Sequence, residues 1–173
     1  MNTATPKNTK VLAHYSALFL TLFFFLQTLY QTSHDTAFEH LWIDSLTVLP
    51  SANLIHWLTP NERVSAQGHR LISPYARLSV LNGCEGTEVI LLLTAALLAL
   101  RLDWRRKFLG IVLGGLLVYT ANQLRIITLY YCLRFNRTLF DILHGTVAPI
   151  AIILIAVLFF VYWVSRGTAR RTV

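Results

Sequence analysis

Charge is scarce in this chain: 13% of its 173 residues are charged, with 8 acidic side chains against 15 lysines and arginines. Cysteine is scarcer still, at two residues. There is no Cys-x-x-Cys pair, no Cys/His spacing that would ligate a metal, no glycine-rich phosphate loop and no internal repeat. Metal, nucleotide and repeat architectures therefore lack a sequence basis, and neither a metal nor a cofactor is expected. What fills the chain instead is apolar: 55% of residues are hydrophobic, gathered in long blocks rather than narrow stripes. That pattern is an all-α, multi-pass membrane protein with the lipid bilayer as its solvent. The net charge of +7 would suit nucleic acid, but the basic residues sit at the ends of the apolar blocks, where they set orientation, and no nucleic-acid partner is expected.

Four transmembrane spans are expected. Residues 1–10 are polar, carry Lys7 and Lys10, and form a cytoplasmic tail. The run 11–30, Val11 to Tyr30, has about the ~20 residues needed to cross a bilayer core and is followed by no small-x-small cleavage site, so it is an uncleaved first span. Residues 31–83 are the one long stretch outside the apolar blocks. Phe38, Leu41, Trp42, Leu46 and Leu49 recur at helical spacing, which predicts an amphipathic helix on the membrane surface, with a second short piece from Ala52 to Leu58. Pro60-Asn61 marks a turn, Arg63 to Ser73 with Gly68 in the middle reads as a hairpin, and Pro74 breaks the chain before Ala76 to Leu81. Residues 84–164 carry three more spans, from about Gly86 to Leu102, Phe108 to Leu133 and Thr146 to Val164. A basic tail, 165–173, follows. Lys7 and Lys10, Arg101 to Lys107, and Arg166 to Arg171 fall on one side if both termini are cytoplasmic; only Arg134 and Arg137 among the flanking basic residues fall outside. Residues 31–83 are then extracytoplasmic, in a protein of the plasma (inner) membrane.

Three positions carry candidate chemistry. Asn82-Gly83-Cys84-Glu85-Gly86-Thr87-Glu88 precedes the second span, and Asn82 with Glu85 three residues on reads as a capping box. Cys84 would then lie in the first helical turn, where unpaired N–H groups and the helix dipole favour a thiolate; the alternatives are an inert small side chain or half of a disulfide. Arg125 lies 17 residues beyond Phe108, ~25 Å up a core ~30 Å thick, near the outer surface. An arginine there costs about 2.5 to 3.5 kcal/mol on insertion scales, so it either snorkels to headgroups or has a partner. Asn122, one turn below on the same face, can bond a substrate or the guanidinium. His144 precedes the outer start of the last span, and Asp141 three residues earlier either orients its ring or caps the surface. His14, His34, His40, His56 and His69 receive no role. A thiolate, a guanidinium for an oxyanion and an imidazole for a leaving amine are the parts of acyl transfer at a peptide bond, placed here at one depth on one side.

The segments Asn82-Gly83-Cys84-Glu85-Gly86, Asn122-Gln123-Leu124-Arg125-Ile126 and Leu143-His144-Gly145 resemble, in order and spacing, the Cys, Asn-x-x-Arg-Ile and His motifs of the archaeosortase/exosortase family. Thr59-Pro60-Asn61-Glu62-Arg63-Val64, leading through Arg70-Leu71-Ile72, looks like the stretch before that family's nucleophile. The similarity covers roughly residues 50 to 163, and the chain is similar to the compact exosortase H group. Glu85 stands where many relatives have a small residue. The resemblance implies a membrane cysteine transpeptidase that cleaves C-terminal sorting tails of exported proteins on the extracytoplasmic side and passes the acyl group to an acceptor nucleophile of unknown identity. It carries the roles of nucleophile to Cys84, oxyanion or substrate stabiliser to Arg125 and general acid/base to His144, with Asn82, Gly86, Asn122 and Asp141 in support. Two other functions fit parts of the sequence: a membrane thiol-redox protein pairing Cys84 with Cys132, and a non-catalytic membrane subunit. A quinone-linked disulfide oxidase would relay electrons through two cysteine pairs, and this chain has two cysteines in total.

Overall fold

The computed structural model describes residues 6–34, 36–81 and 83–168. Asn82, residues 1–5 of the expected tail, and Arg170 and Arg171 lie outside them. Helix α1 (Pro6–Gln31) starts within the stretch expected to be a polar tail and carries the first apolar block. A second helical rod follows as α2 (Ala37–His40), a wide π-helical stretch (Leu41–Val48) and α3 (Leu49–Leu58), so the two amphipathic pieces are one continuous unit. Its exposed face carries Phe38, Leu41, Leu46, Leu49 and Trp57, while Ile43, Val48, Ala52 and Ile55 are buried. Apolar side chains therefore lie on both its exposed and its buried face.

The chain is mostly helical, as the all-α expectation has it, and three short strands extend the expected hairpin. Strands β1 (Ser65–Gln67), β2 (Arg70–Ile72) and β3 (Arg77–Ser79) form an antiparallel meander in the register Ala66↔Leu71 and Leu71↔Leu78. The expected hairpin is β1–β2, turning at Gly68 with φ +57°. β3 falls in the stretch Ala76 to Leu81 that was expected only to lead towards Cys84. Ser73 makes that reversal, accepting hydrogen bonds at its hydroxyl from the amides of Tyr75 and Ala76 at 3.1 and 3.0 Å around Pro74. Leu71 and Leu78 then point the same way and join Ile43, Val48, Ile55, Ile126 and Tyr130 in one buried cluster.

The remaining helices are α4 (Thr87–Ala99), α5 (Trp104–Phe135), α6 (Arg137–Ile142), a π-helical turn (Leu143–Val147) and α7 (Ala148–Thr168). Among the described residues three helices are long and apolar enough to cross a membrane: Thr9–Gln31, Trp104–Phe135 and Arg137–Arg166. The span expected from Gly86 to Leu102 is shorter than read: α4 has 13 residues, or ~20 Å against a ~30 Å core. It starts late because Gly86 takes a left-handed φ of +80°. It stops at Leu100, whose extended backbone leads into α5. Glycine lets α5 and α7 close up. A methyl on Gly110 would lie 2.5 Å from Trp163, and one on Gly114 would lie 2.6 Å from Phe159. Leu93, Leu97, Val118, Ile152 and Ala156 fill a second core between α4, α5 and α7. The surface rod and the small sheet pack on the C-terminal half of α5, making a cap at the end of the bundle where α4 begins.

Candidate active site

Glycine rather than helix shapes the loop that carries the thiol. Gly83 and Gly86 both have left-handed backbones, at φ +89° and +80°, and the amide of Cys84 closes a turn onto Leu81 O at 2.9 Å. Cys84 therefore lies three residues before the first residue of α4 and not in its first turn. The capping box is corrected for the same reason. Gly86 occupies the cap position, and Glu85 does not reach back along the helix but turns inward, 1% exposed, where Tyr30 of α1 donates a hydrogen bond to its Oε1 at 2.7 Å.

Three elements hold this loop from three sides. Tyr30 binds Glu85, and Gln27 one turn earlier donates to Glu88 at 3.3 Å, which fastens the end of α1 to the start of α4. From the surface rod, the indole of Trp42 donates to Thr87 Oγ1 at 2.7 Å. From α5, Asn122 packs against Gly86 so closely that a Cβ there would sit 3.1 Å from its carboxamide carbon. Gly86 is thus fixed twice, by its backbone sign and by a neighbour that leaves no room for a side chain. The side chain next to Asn122 locks α5 in turn: Gln123 accepts from Ser51 at 2.5 Å and donates to Thr47 O at 3.3 Å.

Arg125 lies one turn above Asn122 on α5. With Thr128, Leu143, Val147 and Ala151 it lines an apolar groove of about 270 Å³ between α5 and the last helical rod. His144 follows Leu143 inside the π-helical turn, within a continuous helix and not before it as the sequence implied. Wide turns of this type break the regular ladder and recur at functional sites. The imidazole stacks on Phe140 with centroids 5.3 Å apart and planes 5° from parallel. Asp141 is exposed and does not orient the ring; His144 Nδ1 has no hydrogen-bond partner. Nor is Asp141 the local cap, because Asn136 accepts the Leu139 amide at 3.1 Å.

The loop of Cys84, the stretch before His144 and the helix of Arg125 border one hydrophobic cluster. Cys84, Phe140 and Leu143 pack on the same cluster that holds Ile126, next to Arg125. Among the described residues the buried side-chain polar atoms without a hydrogen-bond partner are Gln27 Oε1, Glu85 Oε2, both carboxamide atoms of Asn122, Arg125 Nε, Arg134 Nε and His144 Nδ1. Leaving such groups unpaired costs roughly 1–3 kcal/mol each, and five of the seven atoms belong to the three motif segments. Cys84 and Cys132 are both free thiols, with no bridge between them. Two of the histidines given no role bond locally: His34 with Glu39 at 3.1 Å, His40 with Asp44 at 3.2 Å. Among the described residues no group of His, Cys, Asp and Glu could hold a metal ion. Sequence reasoning missed Glu85 and Tyr30 as parts of the site, and the one signal for Glu85 was a carboxylate set between a cysteine and a glycine.

A helical membrane protein with a free thiol beside unpartnered buried polar groups is the class that this fold and site define. Residues 7–163 match the model of the transmembrane exosortase (exosortase EpsH) family, and the chain belongs to that family. Exosortases are membrane proteins that act on C-terminal sorting signals, in general as cysteine transpeptidases. No curated protein and no solved structure matches the chain.

Proposed function

We propose that this exosortase is a cysteine transpeptidase or peptidase that cleaves C-terminal sorting tails of exported proteins through a thioester on Cys84. The observation that supports the proposal is that Glu85 Oε2, the Asn122 carboxamide, Arg125 Nε and His144 Nδ1, which all belong to the three motif segments, are buried without a hydrogen-bond partner while Cys84 is a free thiol.

In the first half-reaction His144 takes the thiol proton and Cys84 Sγ bonds to the scissile carbonyl carbon. Arg125 holds the oxyanion, and placing such a donor where charge develops is worth about 10²–10³ in rate. The C–N bond then breaks, the leaving amine takes the proton from His144, and the acyl group remains on sulfur. In the second half-reaction an acceptor amine, hydroxyl or water gives a proton to His144 and attacks the thioester carbonyl, and the C–S bond breaks as Cys84 takes that proton back from His144. The stacked Phe140 holds the imidazole in one plane while it serves both steps.

We place the cap and this site on the extracytoplasmic side of the inner membrane, with both termini inside. Lys107, Arg105 and Arg166 lie at the opposite end of the bundle from the cap, where the positive-inside bias puts the cytoplasm. Helix α4 makes a fourth crossing. Lys107 donates to Leu98 O at 2.7 Å at its lower end, and the polar loop Gly83–Gly86 completes the path above it.

Co-expression with a tailed substrate tests the mechanism. Cys84→Ala abolishes processing and Arg125→Ala lowers it by about 10²–10³ while both proteins still accumulate in the membrane, His144→Ala is severely impaired, and Cys132→Ser is nearly normal. Normal processing by Cys84→Ala rules the mechanism out.

A further inference from the structure

Glu85 sits beside the thiol with one carboxylate oxygen committed and one not. Oε1 accepts from Tyr30 at 2.7 Å, whereas Oε2 is buried and unpartnered. Against the neighbouring Gly86, Asn122 is 1% exposed and both its carboxamide atoms lack partners. Gly86 presents only hydrogen to it, since a Cβ would press on the Asn122 carboxamide.

These side chains and Arg125 specify a ligand by what each requires. Glu85 Oε2 and Asn122 Oδ1 need donors, whereas Asn122 Nδ2 and Arg125 Nε need acceptors. An ammonium group offers donors alone and leaves the last two unmet. A phosphate or carboxylate offers acceptors alone and is repelled by Glu85. A peptide unit offers one N–H and one C=O, and its carbonyl can face Asn122 or Arg125.

Resting on the assignment of Cys84 as nucleophile, we propose that Glu85 and Asn122 clamp the backbone of the tail beside the scissile carbonyl, Glu85 Oε2 accepting the N–H of the residue that supplies that carbonyl and Asn122 donating to the preceding C=O. Recognition here reads main chain and is indifferent to side chains. Tyr30 is a positioning residue: by occupying Oε1 it keeps Oε2 turned to the substrate. It also explains why α1 is fastened to α4 at this level by Tyr30 and by Gln27.

The test uses the full chain in detergent, with Cys132→Ser so that only Cys84 reacts. Cys84 is alkylated with N-acetyl-alanyl-alanine chloromethyl ketone and with the analogue in which the N–H nearest the ketone is an ester oxygen. The ratio of the two rates cancels the reactivity of the thiol itself, and methyl methanethiosulfonate confirms that the sulfur is within reach. The parent protein favours the amide reagent by about tenfold, the order of one charge-assisted hydrogen bond. In Glu85→Gln the ratio falls to about one, because Tyr30 holds the amide oxygen and turns an NH₂ group towards the N–H. Asn122→Ala slows both reagents alike, and Tyr30→Phe gives an intermediate ratio. An unchanged ratio in Glu85→Gln overturns the inference. So does a parent protein without amide preference, or one whose thiol reacts with methyl methanethiosulfonate but with neither peptidyl reagent. Each of these leaves the transpeptidase proposal standing, whereas tail processing by Cys84→Ala defeats that proposal whatever the ratio.

Discussion

Gly86 and Asn122 touch so closely that one methyl group added to Gly86 would lie 3.1 Å from the Asn122 carboxamide carbon. The contact presses the thiol loop directly against α5, one turn from Arg125. Gly86→Ala meets two penalties, a left-handed backbone worth about 1–2 kcal/mol for an L-residue and displacement of Asn122. Gly83→Ala meets the first alone, because nothing lies within 4 Å of its added methyl. Thermal unfolding in detergent is expected to drop for both, further for Gly86→Ala, and tail processing is expected to fall by tenfold or more only in Gly86→Ala.

Arg125 lines the groove with its Nε buried and unpartnered. Arg125→Ala is expected to lower processing by about 10²–10³ with membrane levels unchanged. Arg125→Lys keeps the charge and loses the planar fork, so it recovers only part of the rate. Immunoblots of precursor and product at matched enzyme levels check both values.

Much of this architecture was legible from apolar block length. The blocks of α1, α5 and α7 are long enough that 3.6-residue geometry and a bilayer leave little choice, and the β1–β2 hairpin follows from the glycine at its turn. The start of α4 was not legible, because Asn82-x-x-Glu85 has the letters of a capping box. What defeats it is tertiary: Gly83 and Gly86 adopt left-handed backbones and Tyr30, 55 residues away, draws Glu85 inward. β3 was hidden because its three residues show no alternation long enough to read. The π-helical turn at His144 lies in backbone pairing that side-chain pattern does not encode. Cys84, Asn122, Arg125 and His144 stood out as polar or reactive groups in apolar surroundings, and Asp141 stood out by spacing alone, without a bond to the ring in the fold.

Phe140, rather than Asp141, fixes the imidazole plane. Aromatic stacking is worth about 0.5–1.5 kcal/mol, so Phe140→Ala is expected to reduce processing by about threefold to tenfold. Asp141→Ala is expected to stay within about twofold of the parent. Progress curves for cleavage of a tailed substrate by the two variants separate these roles, and the reverse order would assign the ring to Asp141.

The cap is pinned to α5 by a buried polar network. The hydroxyl of Tyr130 lies 2.8 Å from both Glu62 Oε2 and Ser73 Oγ, and Arg134 lies 3.5 Å from the other Glu62 oxygen. Tyr130→Phe removes one partner and leaves a largely buried carboxylate oxygen short of a donor, an expected loss of about 1–3 kcal/mol. Limited proteolysis is expected to cut first within the small sheet, residues 65 to 79, while the bundle around Leu97 and Val118 resists. Uniform resistance of cap and bundle would show that the network is dispensable.

The most direct measurement is mass spectrometry of the Cys84 peptide, taken from membranes in which the enzyme and a tailed substrate are expressed together and quenched in acid. The account predicts an added mass equal to the acyl fragment of the substrate, carried on Cys84 and released by hydroxylamine as a thioester must be. Processing that continues with Cys84 unmodified, or an acyl group found on Cys132 instead, would contradict it.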